Sequence, residues 1–193
     1  MTSLITCLRF LRRETSECVL LVSTYLKVYL EEIKTLYQRQ SGLRPNHSCQ
    51  TALVNILDDW ISAIDTSTNV GSFFIDLSKA FDLVDHTILI QKLSFYGLHT
   101  SATDWVNSNL NSRTQITSIT SINSYQENSK LVEVTDGVPQ CSVLGPILFL
   151  IYTNDLPLSL SNSIADIFPD DTTLSVHSNS LDEVFITRSY NPK

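Results

Sequence analysis

The chain has 193 residues, about one domain's length, and its 42% hydrophobic and 17% charged composition excludes a disordered or low-complexity polymer. A formal net charge of −7 weighs against binding a polyanion by surface charge alone, because nucleic-acid affinity comes largely from Lys and Arg on phosphates. The charge is uneven: residues 1–50 hold seven basic and four acidic residues, the rest six and sixteen. A phosphate-binding role therefore needs added basic surface, or metal ions that offset the carboxylates.

In "STYLKVYLEEIKTLYQRQSG" (23–42) apolar residues recur at Leu26, Tyr29, Leu30, Ile33, Leu36 and Tyr37, a 3.6 period that predicts an amphipathic helix ending near Gly42. "LRPNHS" is a loop, and "CQTALVNILDDWISAI" (49–64) predicts a second helix with Asp58 and Asp59 on its solvated face. Gly71 to Leu77 reads as a short buried strand. Asp85 is placed to cap "HTILIQKLSFYG", with Gly97 at its far end. "SATDWVNSNLNSR" (101–113) predicts a short helix. "TQITSITSI" (114–122) and "KLVEVTD" (130–136) alternate as strands do, with "NSYQENS" as their turn. Val143 to about Asp155 is an apolar helix with Pro146 in its first turn. "SIADIFPDDTTLSVHS" (163–178) predicts two short strands about a turn at Pro169-Asp170-Asp171. The order of elements fits an α+β fold, a mixed sheet with helices packed on one face.

The four cysteines, at 7, 18, 49 and 141, show neither a C-x-x-C pair nor a His pattern for zinc, so reduced thiols in an intracellular protein are expected. No targeting segment is legible, and the longest apolar run, 143–152, is far short of the ~20 residues of a membrane helix.

The chemistry concentrates in carboxylates. "FFIDLSKAFD" (73–82) drives an apolar strand into Asp76, and Asp170-Asp171 lie at a hairpin turn. If these strands are sheet neighbours, three carboxylates meet at one edge, and hard divalent cations relieve their repulsion. Two such ions about 3.5–4 Å apart serve phosphoryl transfer. The plainer alternatives are an Asx-turn at Asp170-Asp171 and a strand exit to solvent at Asp76. Asp82 and Asp85 suit turn and cap roles.

"FFIDLSKAFDLVDH" (73–86), "GVPQCSVLGPILFLIYTNDLP" (137–157) and "FPDDTTL" (168–174) resemble reverse transcriptase motifs A, B and C, in that order. "QRQSGLRPNHSCQTAL" (38–53) and "WVNSNLNSRTQ" (105–115) are also similar to the non-LTR, LINE-type, jockey-like retrotransposon enzymes. The resemblance spans 23–178 and implies a truncated reverse transcriptase domain, the polymerase palm with a fingers remnant and no thumb, between an unmatched segment at 1–22 and a tail at 179–193. It implies an RNA-directed DNA polymerase, intracellular in cytoplasm or nucleus, that uses an RNA template, a DNA primer and dNTPs and needs no membrane. Asp76, Asp170 and Asp171 match the catalytic residues that hold two Mg²⁺, with Mn²⁺ a possible substitute. Phe81 matches the aromatic that excludes a ribose 2′-OH, against the alternative of a core aromatic. Gln140 matches a glutamine near template and nucleotide, against the alternative of a polar loop residue, and Arg44 is a candidate for the same contacts that reads equally well as a loop residue.

Two positions depart from the family pattern. Cys141 replaces the second Gly of G-V-P-Q-G-S, where any Cβ intrudes on close backbone approach. Pro169 replaces the Ala of F-A-D-D, and in a paired strand a proline loses a ladder hydrogen bond. With the family's basic fingers motif and thumb unmatched, these departures favour low or no turnover in this chain alone. The alternative function is therefore a catalytically inactive, truncated retroelement remnant. An α+β interaction domain without metal response is a third reading.

Overall fold

The computed structural model describes residues 16–111, 113–120, 126–139, 142–160 and 163–180. They belong to two units: Met1–Val28 with Phe81–Tyr152, and Tyr29–Ala80 with Thr153–Lys193.

The first unit is helical. It takes most of α1 (Ser16–Glu32), then α3 (His86–Phe95), α4 (Thr100–Asn111) and α5 (Gly145–Thr153) to Tyr152. Asp85 caps α3 as predicted, its carboxylate accepting from the backbone N–H of Thr87 at 2.7 Å and Ile88 at 3.0 Å. Gly97 follows the helix at φ 82°, a left-handed residue just past the end. Leu89 and Leu93 of α3, Val106 and Leu110 of α4, and Ile147 to Ile151 of α5 are buried, so the apolar face of each helix lies in one core.

Between α4 and α5 the predicted strand pair is broken in two. β2 (Thr114–Gln115) pairs with β5 (Val132–Glu133), and β3 (Ser118–Thr120) with β4 (Gln126–Asn128). β4 falls inside the segment read as the turn. The described strand residues of both pairs are exposed, so no buried face holds one continuous register.

The second unit holds a three-stranded antiparallel sheet in the order β1-β7-β6, from β1 (Asn69–Asp76), β6 (Ile164–Phe168) and β7 (Asp171–Ser178). It is mixed only through one isolated parallel bridge, Gln40 to Ile167. α2 (Cys49–Asp65) packs on β1 and β6, and the Trp60 indole N–H donates to Ser175 Oγ at 2.9 Å. Ser48 begins α2 with a capping box shared with Thr51.

Two expectations are corrected here. The first helix ends at Glu32, not near Gly42. Lys34 turns the chain at φ 51°, and the periodic residues that follow belong to a strap instead. Within it Asn154 Oδ1 accepts from Tyr37 N–H at 2.8 Å, and Gln40 bridges Ile167. Strand β1 is not buried: it is the sheet's edge, with Phe74 76% exposed and Ile75 40% exposed.

Candidate active site

The sheet joins the carboxylates that the sequence separates. β1 and β7 pair in register from Asn69 opposite Ser178 to Asp76 opposite Asp171. Directly opposed antiparallel residues share a face, so Asp76 and Asp171 are cross-strand neighbours of like charge, both exposed. β6 pairs with β7 through Phe168 opposite Asp171, leaving Pro169 and Asp170 as the turn. Leu77 N–H donates to Asp170 O at 3.2 Å, which ties the exit of β1 to that turn. Pro169 thus sits in the turn, as the sequence predicts, outside the ladder where a proline would cost a bond. Gly42 faces it: a Cβ built on Gly42 would collide with Pro169 Cδ, and lie 2.5 Å from its Cγ.

Among the described residues no Lys or Arg is ion-paired with Asp76, Asp170 or Asp171. Nor do three His, Cys, Asp or Glu side chains among those residues form a group able to hold a metal ion. The structure therefore brings together two of the three predicted ligands, Asp76 and Asp171, with Asp170 next to them in the turn. Two exposed, unpaired carboxylates on one face are a donor set suited to a hard cation, and with exposed edges they leave room for its waters.

A second charged cluster lies deeper in this unit. Arg39 spans Asp59 of α2 and Asp166 of β6: Nη1 pairs with Asp59 Oδ2, Nη2 lies 3.0 Å from Asp59 Oδ1, and Nη1 lies 3.2 Å from Asp166 Oδ1. Asp59 is therefore no solvated residue, although Asp58 beside it is exposed. Burial pushes the Asp166 carboxyl above the usual carboxylate range, against the opposing pull of Arg39, while its hydrogen bond to Asp59 raises Arg39. Arg44 is also engaged. It makes a two-pronged pair with Glu31, at 2.9 Å and 2.8 Å, and donates to the carbonyls of Tyr37 and Gln40 at 3.1 Å and 3.3 Å. That pairing holds the Glu31 carboxyl below its ordinary range.

Phe81 belongs to the helical unit, where its ring stacks on Phe149 of α5 with centroids 4.3 Å apart and planes at 23°. Its carbonyl accepts from Val138 N–H at 2.8 Å, and Val84 O accepts from Gly137 N–H at 2.8 Å. Gly137, at φ 80°, lies against Asp82 so closely that a Cβ would be 2.7 Å from Asp82 O. Its carbonyl accepts from Arg113 Nη2 at 2.5 Å and lies 2.8 Å from His86 Nε2. Motif B thus begins stapled to the residues that follow Asp76.

Residues 13–187 match the family described as reverse transcriptase (RNA-dependent DNA polymerase). The chain belongs to the reverse transcriptase family. It is 30% identical over 176 residues to the probable RNA-directed DNA polymerase from transposon BS of Drosophila melanogaster, covering 84% of this chain and 18% of that protein. It is 30% identical over 151 residues to the probable polymerase from transposon X-element of the same species, covering 73% of this chain and 15% of that one. The mobile element jockey polymerase of Drosophila funebris is 31% identical over 127 residues, covering 66% of this chain and 13% of that protein. The chain is thus a reverse transcriptase domain related to those of the BS, X-element and jockey non-LTR retrotransposons, and spans under a fifth of their length. In fold it is similar to telomerase from Candida albicans, whose structure contains a fragment of telomeric RNA: TM-score 0.60, 12% identity, 87% of this chain and 31% of that one.

In this reverse transcriptase domain Gln140 and Cys141 lie outside the described residues. Sequence reasoning missed Arg39 and Asp166. A signal was present, since "IADIF" sets a carboxylate in the middle of an apolar strand, where burial demands a cation. Among the described residues no helix is long and apolar enough to cross a membrane.

Proposed function

We propose that the chain is the palm, with part of the fingers, of a retroelement RNA-directed DNA polymerase, and that Asp76, Asp170 and Asp171 are its metal-binding catalytic residues. The observation that carries this is the β1–β7 register, which sets Asp76 opposite Asp171 beside the Pro169-Asp170 turn. Asp76 and Asp171 would hold Mg²⁺, or Mn²⁺ in its place, with Asp170 contributing from the turn. When bound, such ions supply the positive charge that activates an attacking hydroxyl and steadies a leaving phosphate oxygen in phosphoryl transfer. The residues of the chain do the positioning. The paired strands would serve as a mount that keeps Asp76 and Asp171 side by side, since about 1 Å of misplacement can cost on the order of 10²-fold in rate. Phe81, braced on Phe149, would be the aromatic that discriminates against a ribose 2′-OH. Gln140 would lie near template and nucleotide. Arg44 would touch nucleic acid only by giving up Glu31. RNA template, DNA primer and dNTPs are the corresponding substrates.

A second reading, a catalytically inactive remnant, is favoured by Cys141, which replaces the glycine of the family pattern. Primer extension by the purified chain on an RNA template, with dNTPs and Mg²⁺ and then Mn²⁺, decides between them. Extension that vanishes in Asp171→Asn establishes polymerase activity and sinks the remnant reading. No extension from folded protein sinks the claim that this chain polymerises by itself. Repeating it with Cys141→Gly separates a damaged motif from a need for segments that the longer relatives carry.

A further inference from the structure

Arg39 sits where side chain and backbone both reach the strand that leads into the Asp170-Asp171 turn. Its guanidinium bridges Asp59 on α2 and Asp166 on β6, with Nη2 3.0 Å from Asp59 Oδ1 and Nη1 3.2 Å from Asp166 Oδ1. Its carbonyl accepts from Ile167 N–H at 3.1 Å, and two residues on Ser41 N–H donates to Ile167 O at 2.9 Å. Gly42 follows and faces Pro169 of the turn itself. The bridged helix is itself fixed to the sheet, because Trp60 of α2 donates to Ser175 of β7 at 2.9 Å. Asp166 is only 5% exposed, and a buried carboxylate stripped of its partner is costly, so β6 keeps this position only while Arg39 holds it. An Arg fork serves two carboxylates at once; a Lys point charge on the same strap does not.

We propose that Arg39 is a positioning residue for the Asp170-Asp171 turn, clamping Asp59 and Asp166 so that the β6–β7 hairpin presents Asp171 opposite Asp76. Its bearing on catalysis rests on the polymerase reading above. Arg39 touches none of the three aspartates; it acts through β6, which β7 separates from the strand that carries Asp76.

The test is Mn²⁺ binding by the full chain, followed by the paramagnetic resonance of free Mn²⁺, together with amide hydrogen exchange. The variants are Arg39→Gln, Arg39→Lys, Asp59→Asn and Asp171→Asn. Binding by the unsubstituted chain, lost in Asp171→Asn and weakened tenfold or more in both Arg39 variants, supports the clamp. Wild-type Mn²⁺ affinity in folded Arg39→Gln overturns it. If Arg39→Gln fails to fold, Asp59→Asn carries the same comparison, with a smaller loss of affinity expected and an unchanged affinity overturning the proposal. Failure of the metal reading looks different: the unsubstituted chain takes up no Mn²⁺, or Asp171→Asn takes it up equally well. Exchange then decides the clamp alone. Amides of Ile167 and Thr172 that exchange at least tenfold faster in Arg39→Gln, with those of Leu93 and Val106 unchanged, support it; unchanged Ile167 and Thr172 amides overturn it.

Discussion

The helical unit and the sheet unit are held together by different physics. In the helical unit Leu89, Leu93, Leu110, Leu148, Leu150 and Ile151 are wholly buried, and α3, α4 and α5 each give an apolar face to that core. In the sheet unit Leu30, Ala165 and Ile167 are buried too, but the edge strand β1 leaves Phe74, Ile75 and Asp76 exposed, and directed polar contacts add to the smaller apolar core. Arg39 bridges two carboxylates, Arg44 grips Glu31, Trp60 bonds Ser175, and Asn154 bonds the strap. Burial is non-directional. Charge pairs and cross-strand register are directional, and the carboxylates proposed for metal binding lie in the unit built that way.

Truncation in the apolar core should have the largest effect. Leu148→Ala removes a fully buried side chain and should destabilise the protein by about 2–5 kcal/mol, read as a lower denaturant midpoint with little change in slope. If the helical unit can be thinned this way for much less, its core is not what holds it.

Next comes Gly42→Ala, whose new Cβ meets Pro169. Overpacking at that contact should cost about 1–3 kcal/mol. Pro169→Ala in the same chain removes the Cδ and Cγ contacts but leaves Pro169 N 2.5 Å from the new Cβ, so it should recover part of that loss and give a positive coupling in a double-mutant cycle. Additive effects would break the claim that Gly42 seats the turn.

The smallest effect is the most diagnostic of a polar unit: its pH dependence. The Glu31 carboxyl is held low by Arg44, so its contribution is present above the unfolded range of about 4.3 and lost as pH falls through its lowered folded value. Asp166 runs the other way. Its carboxyl is raised by burial, so it adds stability below the unfolded range of about 3.9, lost as pH rises through its raised folded value. Denaturant unfolding of Glu31→Gln and Asp166→Asn between about pH 3 and 7 should therefore give stability differences from wild type that trend in opposite directions. Parallel trends would refute the assignment of either shift.

Local chemistry determined what the sequence alone made legible. Capping by Asp85, the helices at 49–65 and 86–95, and the hairpin about Pro169-Asp170 depend on neighbours within a few residues, so spacing and residue type suffice to find them. Family membership was legible too, because motif residues keep their order and spacing along the chain whatever their surroundings. The tertiary structure decided what depends on partners distant in sequence. The stretch from Leu36 to Gln40, expected to continue the helix, became a strap because Asn154 and Ile167 meet it there, not because the pattern at Leu36 and Tyr37 differs from a helix. β1 became an exposed edge because β7 covers one side of it and, among the described residues, no strand covers the other. The 94-residue interval between Asp76 and Asp170 is closed only by the β1–β7 register, and Arg39 finds Asp166 across 127 residues. Such pairings arise when distant segments fold against each other, and one-dimensional spacing carries no record of them.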